Sequence, residues 1–297
     1  MKGIILAGGS GSRLAPLTYV ISKQLLPVYD KPMICYPLAT LMNLGLKEIL
    51  IISTAHDTPN IEKFLGDGSL YGIKLSYAVQ ENPNGIAEAF LVGEKFIDQD
   101  SVCLILGDNI FYGSEISTDA IGKNIEEVGQ KFGAYIFSYH VADPERYGVI
   151  TFDKNEEHII DLEEKPKNPQ SNWAVTGLYF YDNNVIKITK SLKPSARGEL
   201  EITDVNKAYL SQNKLGVIKL KRGFAWLDAG TPDSLLDSSQ FIQTIEKRQG
   251  LKIACLEEIS YRKNFISGAS FKKLVETYKA GTPYRNYLET IIKHDRI

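Results

Sequence analysis

The sequence predicts an α/β protein built on a mixed, mostly parallel sheet flanked by helices, with an antiparallel part in its later half and helices at its C-terminal end. Two rhythms and one absence predict it. Over about the first 110 residues, β-rich runs alternate with helix-length segments, the pattern by which strand–helix–strand units build a parallel sheet covered on both faces. From residue 134 the strand-like runs crowd together, as antiparallel pairs do. No Pro/Gly/Ser-rich linker, internal repeat or low-complexity stretch interrupts the chain.

Taken in order, residues 3–6 read as a buried strand that runs straight into glycines. Residues 33–44 read as a helix, because Ile34, Leu38, Leu41 and Met42 recur at about 3.6 residues. Strands follow at 48–53, 75–79 and 102–106, separated by helices at 60–65 (capped by Asp57 or Thr58) and at 86–96. The later strands are 134–139, 148–152, 158–162 and 175–180, with helices at 202–210 and 234–246. Residues 257–294 are amphipathic and helical. We expect one domain over residues 1–250 and a small helical appendage over 251–297.

Composition bounds the function. A chain of 297 residues can bury a sizeable core. Its formal net charge of -2 gives no overall pull towards nucleic acid or an anionic membrane, so cations for an anionic ligand must be local. Cys35, Cys103 and Cys255 are odd in number, far apart and in apolar contexts. They read as buried thiols in a reducing cytosol rather than as a disulfide or zinc site. His56, His140, His158 and His294 lack the spacing of metal ligands. The apolar run after Met1 is too short for a signal peptide, and no run is long enough to span a membrane. The expected setting is the cytoplasm, with neither nucleic acid nor membrane as partner.

Chemistry enters at Leu6-Ala7-Gly8-Gly9-Ser10-Gly11-Ser12-Arg13-Leu14. Glycines directly after a parallel strand let backbone N–H groups approach phosphate oxygens. A plain strand–helix connection does not need Gly8, Gly9 and Gly11 together. The loop lacks the Gly-Lys-Ser/Thr ending of a Walker loop, and Leu14 stands where a dinucleotide fingerprint begun at Gly9 needs its last glycine. What remains is G-G-x-G-x-R, in which Arg13 offers a rigid cationic fork for polyphosphate. Lys23 alone would read as a solvated lysine. Beside this loop, in Lys23-Gln24-Leu25-Leu26-Pro27, it reads as a second phosphate cation.

These two motifs resemble the signature of the sugar-1-phosphate nucleotidylyltransferases. Further blocks extend the resemblance, and they are similar to the glucose-1-phosphate thymidylyltransferase branch. They are Tyr29-Asp30-Lys31-Pro32, Leu106-Gly107-Asp108-Asn109, Pro144-Glu145-Arg146-Tyr147-Gly148-Val149, Glu163-Glu164-Lys165-Pro166, Val175-Thr176-Gly177-Leu178-Tyr179, Arg197-Gly198-Glu199-Leu200-Glu201-Ile202-Thr203-Asp204 and Trp226-Leu227-Asp228. The match runs in order to about Glu258. It implies a Rossmann-like nucleotide-binding part over about 1–110, a sugar-binding part over about 111–250, and dTTP and glucose 1-phosphate as substrates. It also implies Mg²⁺ held by Asp108 and Asp228. Arg13, Lys23, Asp108, Lys165 and Asp228 would carry the chemistry. Arg13 would bind the triphosphate, Lys23 the α-phosphate, and Lys165 the phosphate of the incoming sugar. No general base is expected, because a phosphate oxygen is already ionised at neutral pH. Leu6, Gly8, Gly9, Gly11, Ser12, Arg13, Gln80, Gly85 and Asp108 would contact the nucleotide, with Gln80 and Gly85 selecting the base. Asn109, Gly148, Glu164, Lys165 and Val175 would contact the sugar phosphate, while Arg146 and Tyr147 would shape their loop.

The family is commonly a homotetramer with product feedback at a second nucleotide site, and works in deoxysugar or rhamnose synthesis. Here Ser114-Glu115-Ile116-Ser117 replaces the bulky or basic residue expected after Phe111-Tyr112-Gly113, and the segment after Tyr261 matches less closely. The same pattern is compatible with UTP or another hexose 1-phosphate, or with a non-catalytic regulator. A regulator would have no need to keep all five reactive residues.

Overall fold

The computed structural model describes residues 1–9, 11–113, 116 and 118–295. Ser114, Glu115 and Ser117 of the divergent segment, and Ser10 of the glycine loop, lie outside them. In chain order the first half comprises β1 (Lys2–Leu6), β2 (Pro27–Val28), β3 (Lys31–Pro32), α1 (Cys35–Asn43), β4 (Glu48–Ser53), α2 (Thr58–Leu65), β5 (Lys74–Val79), α3 (Glu88–Val92), α4 (Glu94–Ile97) and β6 (Val102–Leu106). There follow β7 (Asn109–Tyr112), α5 (Thr118–Glu127), β8 (Ala134–His140), β9 (Gly148–Phe152), β10 (Ile159–Glu164) and β11 (Trp173–Tyr181). The chain then forms α6 (Asn184–Ser191), α7 (Ile202–Ser211), β12 (Leu215–Lys219), β13 (Ala225–Asp228), α8 (Pro232–Gln249), α9 (Leu256–Arg262), α10 (Gly268–Glu276) and α11 (Pro283–His294).

Nine strands make one mixed sheet in the order β10-β9-β11-β6-β1-β4-β5, with β8 on the other edge of β11 and β12 beside β8. β1, β4, β5 and β6 run parallel, with Ile5 opposite Ile51 on one side and Ile105 on the other. The near-continuous apolar runs of β1, β4 and β6 suit strands covered on both faces. Alternation along β1 divides the core. Ile5 joins Leu38 and Leu41 of α1 on one face, and Ile4 joins Phe90, Val185 and Tyr209 of α3, α6 and α7 on the other.

The decisive irregularity is in β11. Its residues Leu178–Tyr181 pair antiparallel with β6, but Trp173 and Ala174 pair with β9, and its register with β8 shifts between Val175 and Tyr179. The sheet therefore opens beside 175–177, at the carboxyl end of β6. That is where open α/β sheets place ligands. A separate two-stranded ladder, β7 with β13, stands over this opening.

Predicted elements differ from observed ones mainly at glycines and short strands. The helix expected over 86–96 divides at Gly93, where a Cβ would lie 3.0 Å from Ile4 Cδ1 and from the Ala89 carbonyl oxygen. The helical stretch expected over 257–294 comprises three helices, of which α9 packs against α1 and the others close a small cluster of Cys255, Phe271, Val275 and Leu288. All three cysteines are free and buried. Among the described residues no helix is long and apolar enough to cross a membrane.

Candidate active site

The glycine loop leaves β1 and turns through Gly9 and Gly11, whose φ values of 94° and 59° favour glycine. Thr18 Oγ1 donates to the Gly11 carbonyl at 2.9 Å and closes the loop. A 3₁₀ turn, Ser12–Leu14, follows and presents Arg13 with its side chain exposed.

Asp108 begins where β6 ends. Gly107 N–H donates to the Leu6 carbonyl at 2.9 Å, which ties this turn to the start of the glycine loop. Asn109 then enters β7, where it pairs with Asp228 of β13, and Ala229 N–H donates to the Asp108 carbonyl at 3.1 Å. A four-residue ladder thus brings together two carboxylates far apart in sequence. Asp228 does not cap the helix that follows it. Thr231 does, in a reciprocal capping box with Ser234.

The two carboxylates titrate apart. Burial pushes Asp228 up, and the charge of Asp108 adds to it, while Lys23, Arg146 and Arg13 oppose. Burial also raises Asp108, but the Lys23 ammonium, ion-paired to its Oδ2, and the Asn109 amide, donating to its Oδ1 at 2.9 Å, hold it below the ordinary value. Two close, half-buried carboxylates with cations gathered round them form a site for a positive ion. The donors are oxygens, and no third His, Cys, Asp or Glu joins them among the described residues. That set fits a hard dication which takes its remaining ligands from phosphate and water.

Two clefts meet at this pair and share Ile86, Leu106 and Asp108. The first is lined by Leu6, Gly8, Gly9, Lys23, Gln80 and Gly85, the nucleotide set expected from sequence. The second is lined by Asn109, Gly148, Glu164, Lys165 and Val175, the sugar-phosphate set, together with Asp228. Arg13 lines the second cleft rather than the first, and Gly11 and Ser12 line neither.

The second cleft is braced from within. Asn109 Oδ1 accepts from Gly177 N–H at 3.0 Å and from Trp226 Nε1–H at 2.6 Å. Its carbonyl is therefore engaged by the protein, and Asn109 chiefly fixes Asp108. Glu164 Oε2 accepts from Thr203 Oγ1 at 2.5 Å, and Gly148 keeps the space open, since a Cβ there would stand 3.1 Å from Thr203 Oγ1 and 3.4 Å from Glu164 Oε2. Lys165 holds a left-handed φ of 44°, with its ammonium 3.7 Å from Glu164. Such a conformation costs a lysine about 1–2 kcal/mol, a strain concentrated where the chain turns its cation into the cleft.

Arg146, expected only to shape its loop, reaches Asp143 at 2.7 Å and Asp228 at 3.5 Å, while Thr203 and Trp226 carry no role in the sequence reading. The Arg146-Tyr147 motif and the Trp226-Leu227-Asp228 block were in view. What they touch depends on chain pairing that no spacing records.

With this geometry in hand, a family model described as nucleotidyl transferase matches residues 2–245. The chain belongs to the nucleotidyl transferase family. A glucose-1-phosphate thymidylyltransferase of Neisseria meningitidis serogroup A is 52% identical over 99% of this chain and 100% of its own. One from Mycobacterium tuberculosis strain H37Rv is likewise 52% identical, over 99% and 100%. A crystal structure from Bacillus anthracis, assigned as a glucose-1-phosphate thymidylyltransferase and bound to sucrose, superposes with a TM-score of 0.74 at 44% identity, covering 81% of this chain and 94% of that one. A UDP-glucose pyrophosphorylase bound to UDP-glucose does so with a TM-score of 0.72 at 25% identity, over 82% and 98%.

Membership gives the two clefts their sense. A nucleotidyl transferase must align two anions head to tail, and the main obstacles are charge repulsion and orientation. Arg13, Lys23, Arg146 and Lys165 supply local positive charge in a chain whose net charge is -2.

Proposed function

We propose that this nucleotidyl transferase joins glucose 1-phosphate to the thymidylyl group of dTTP, forming dTDP-glucose and pyrophosphate. The observation that carries the reading is the convergence of Asp108 and Asp228 where the two clefts meet. A phosphate oxygen of the sugar attacks the α-phosphorus from the second cleft, a new P–O bond forms, and the bond to the β-phosphate oxygen breaks in line. The leaving group is pyrophosphate, and no proton need be removed from the nucleophile.

Asp108 and Asp228 would hold Mg²⁺, which when bound neutralises phosphate charge and fixes orientation. Lys165 draws in the sugar's phosphate, and Glu164, oriented by Thr203, accepts from sugar hydroxyls. Arg13 and Lys23 balance charge on the triphosphate and on the departing pyrophosphate. Gln80 and Gly85 read the base. Residues 1–110 thus serve the nucleotide and 111–250 the sugar, with 251–297 as a helical appendage. The same reading carries a cytoplasmic homotetramer supplying dTDP-rhamnose synthesis. The similarity to UDP-glucose pyrophosphorylase supports a second reading, UTP as donor, since a methyl group in a pocket is worth only about 1–3 kcal/mol.

Pyrophosphate release with glucose 1-phosphate, Mg²⁺ and each nucleoside triphosphate separates these readings. We expect fastest turnover with dTTP, abolished by chelation, with dTDP-glucose as product. Turnover confined to UTP would replace the substrate, and none with any triphosphate would overturn the activity.

A further inference from the structure

Gln80 follows β5 directly and is buried, 6% exposed, at the wall of the first cleft. Its Nε2 donates to Glu88 Oε2 at 2.6 Å and to the Gly85 carbonyl at 3.3 Å. A carboxylate and a backbone carbonyl are both acceptors. They demand the NH₂ end of the amide and exclude its oxygen. The orientation of Gln80 is therefore set by chemistry, with Oε1 turned the opposite way, against Gly8. A Cβ at Gly8 would stand only 2.6 Å from that oxygen, so bare backbone at position 8 is what leaves it room. Glu88 is itself held, because Asn84 Nδ2 donates to its other oxygen at 2.8 Å. Glu88 is not among the residues lining the cleft.

We propose that Glu88 is the positioning residue that sets base choice. By holding the NH₂ of Gln80 it leaves only a carbonyl to read the base, so a pyrimidine carrying a ring N3–H is accepted and cytosine is refused. This rests on the reading of the first cleft as the nucleotide site. Thymine and uracil place a donor opposite Oε1. Cytosine in the same pose places a lone pair there, acceptor against acceptor, and a buried polar group left unpaired is costly. Without Glu88 the amide can turn over and offer NH₂ to the cytosine N3.

Equilibrium binding of dTTP, UTP and dCTP, measured calorimetrically without sugar phosphate, tests this on the wild type, E88A, the volume-matched E88L and E88Q. Thermal melts report whether each variant is folded. The wild type should prefer dTTP and UTP over dCTP by about a hundredfold or more. In E88A and E88L that ratio should fall by about tenfold or more, through weaker dTTP and stronger dCTP binding. E88Q keeps an amide oxygen that accepts from Gln80, and should restore most of the ratio. A wild-type ratio in folded E88A or E88L would overturn the proposal, and so would a wild type that does not discriminate. Turnover of dTTP with an unchanged ratio would remove only the role of Glu88. Tight dTTP binding without turnover would remove thymidylyl transfer and leave base choice to be decided by the ratios.

Discussion

At the scale of single residues the site stores instability. Burial and the charge of Asp108 hold the folded pKa of Asp228 above the ordinary 3.8. Below that ordinary value folded and unfolded states both carry the proton and no penalty exists; above the raised folded value the charged carboxylate costs stability in full. In chelator, D228N should therefore raise the midpoint of thermal unfolding at pH 7, with the gain shrinking to nothing as the pH falls below about 4, while activity is lost. Melting curves at both pH values check this; a destabilised D228N at pH 7 would contradict it. Lys23 works in the opposite sense, holding Asp108 charged. K23A leaves two neighbouring carboxylates without that partner, so it should lower the unfolding midpoint and reduce kcat/KM for dTTP by about a hundredfold, measured by thermal melts and pyrophosphate release.

At the scale of elements, the β11 bulge and the β7–β13 ladder do the positioning. Gly177 lies in the bulge, where a Cβ would stand 2.4 Å from Asn109 Oδ1. G177A should force Asn109 off Asp108, destabilise the fold by about 1–3 kcal/mol as overpacking does, and depress kcat more than that loss alone explains. Urea denaturation and steady-state kinetics separate the two effects. Legibility in the sequence divides along the same line. The loop glycines, Arg13, Lys23 and Asp108 announce themselves by type and context, whereas Glu164 and Lys165 are picked out only by the family resemblance. β7 and β13 do not, because four-residue strands such as Asn109–Tyr112 carry no period to read, and they are what bring Asp228 to Asp108. Thr203 and Trp226 escape for a related reason: their hydrogen bonds to Glu164 and Asn109 span 39 and 117 residues. Arg13 shows the limit of motif reading from the other side, since a motif names the side chain but not which of two adjoining clefts it lines.

At the scale of the molecule, the start of the chain is clamped to its later part by a group of four charges, of which Lys31 and Glu246 are buried. Lys31 pairs with Asp30 and, at 3.1 Å, with Glu246 of α8, while Lys252 reaches the same two carboxylates. Glu246 and Lys31 are 6% and 5% exposed, so E246A leaves a buried cation short of a partner and should cost about 3 kcal/mol in denaturant unfolding, although neither residue lines either cleft. The central claim is that Asp108 and Asp228, from different halves of the 2–245 family match, act as a single site. Its most direct test is kcat/KM for D108N, D228N and the double variant under saturating Mg²⁺. Each single change should cost about a hundredfold or more, and the double should cost only a few-fold beyond the worse single, because groups that act as a unit are not additive. Losses that multiply in the double variant, or a single variant close to wild type, would contradict the account.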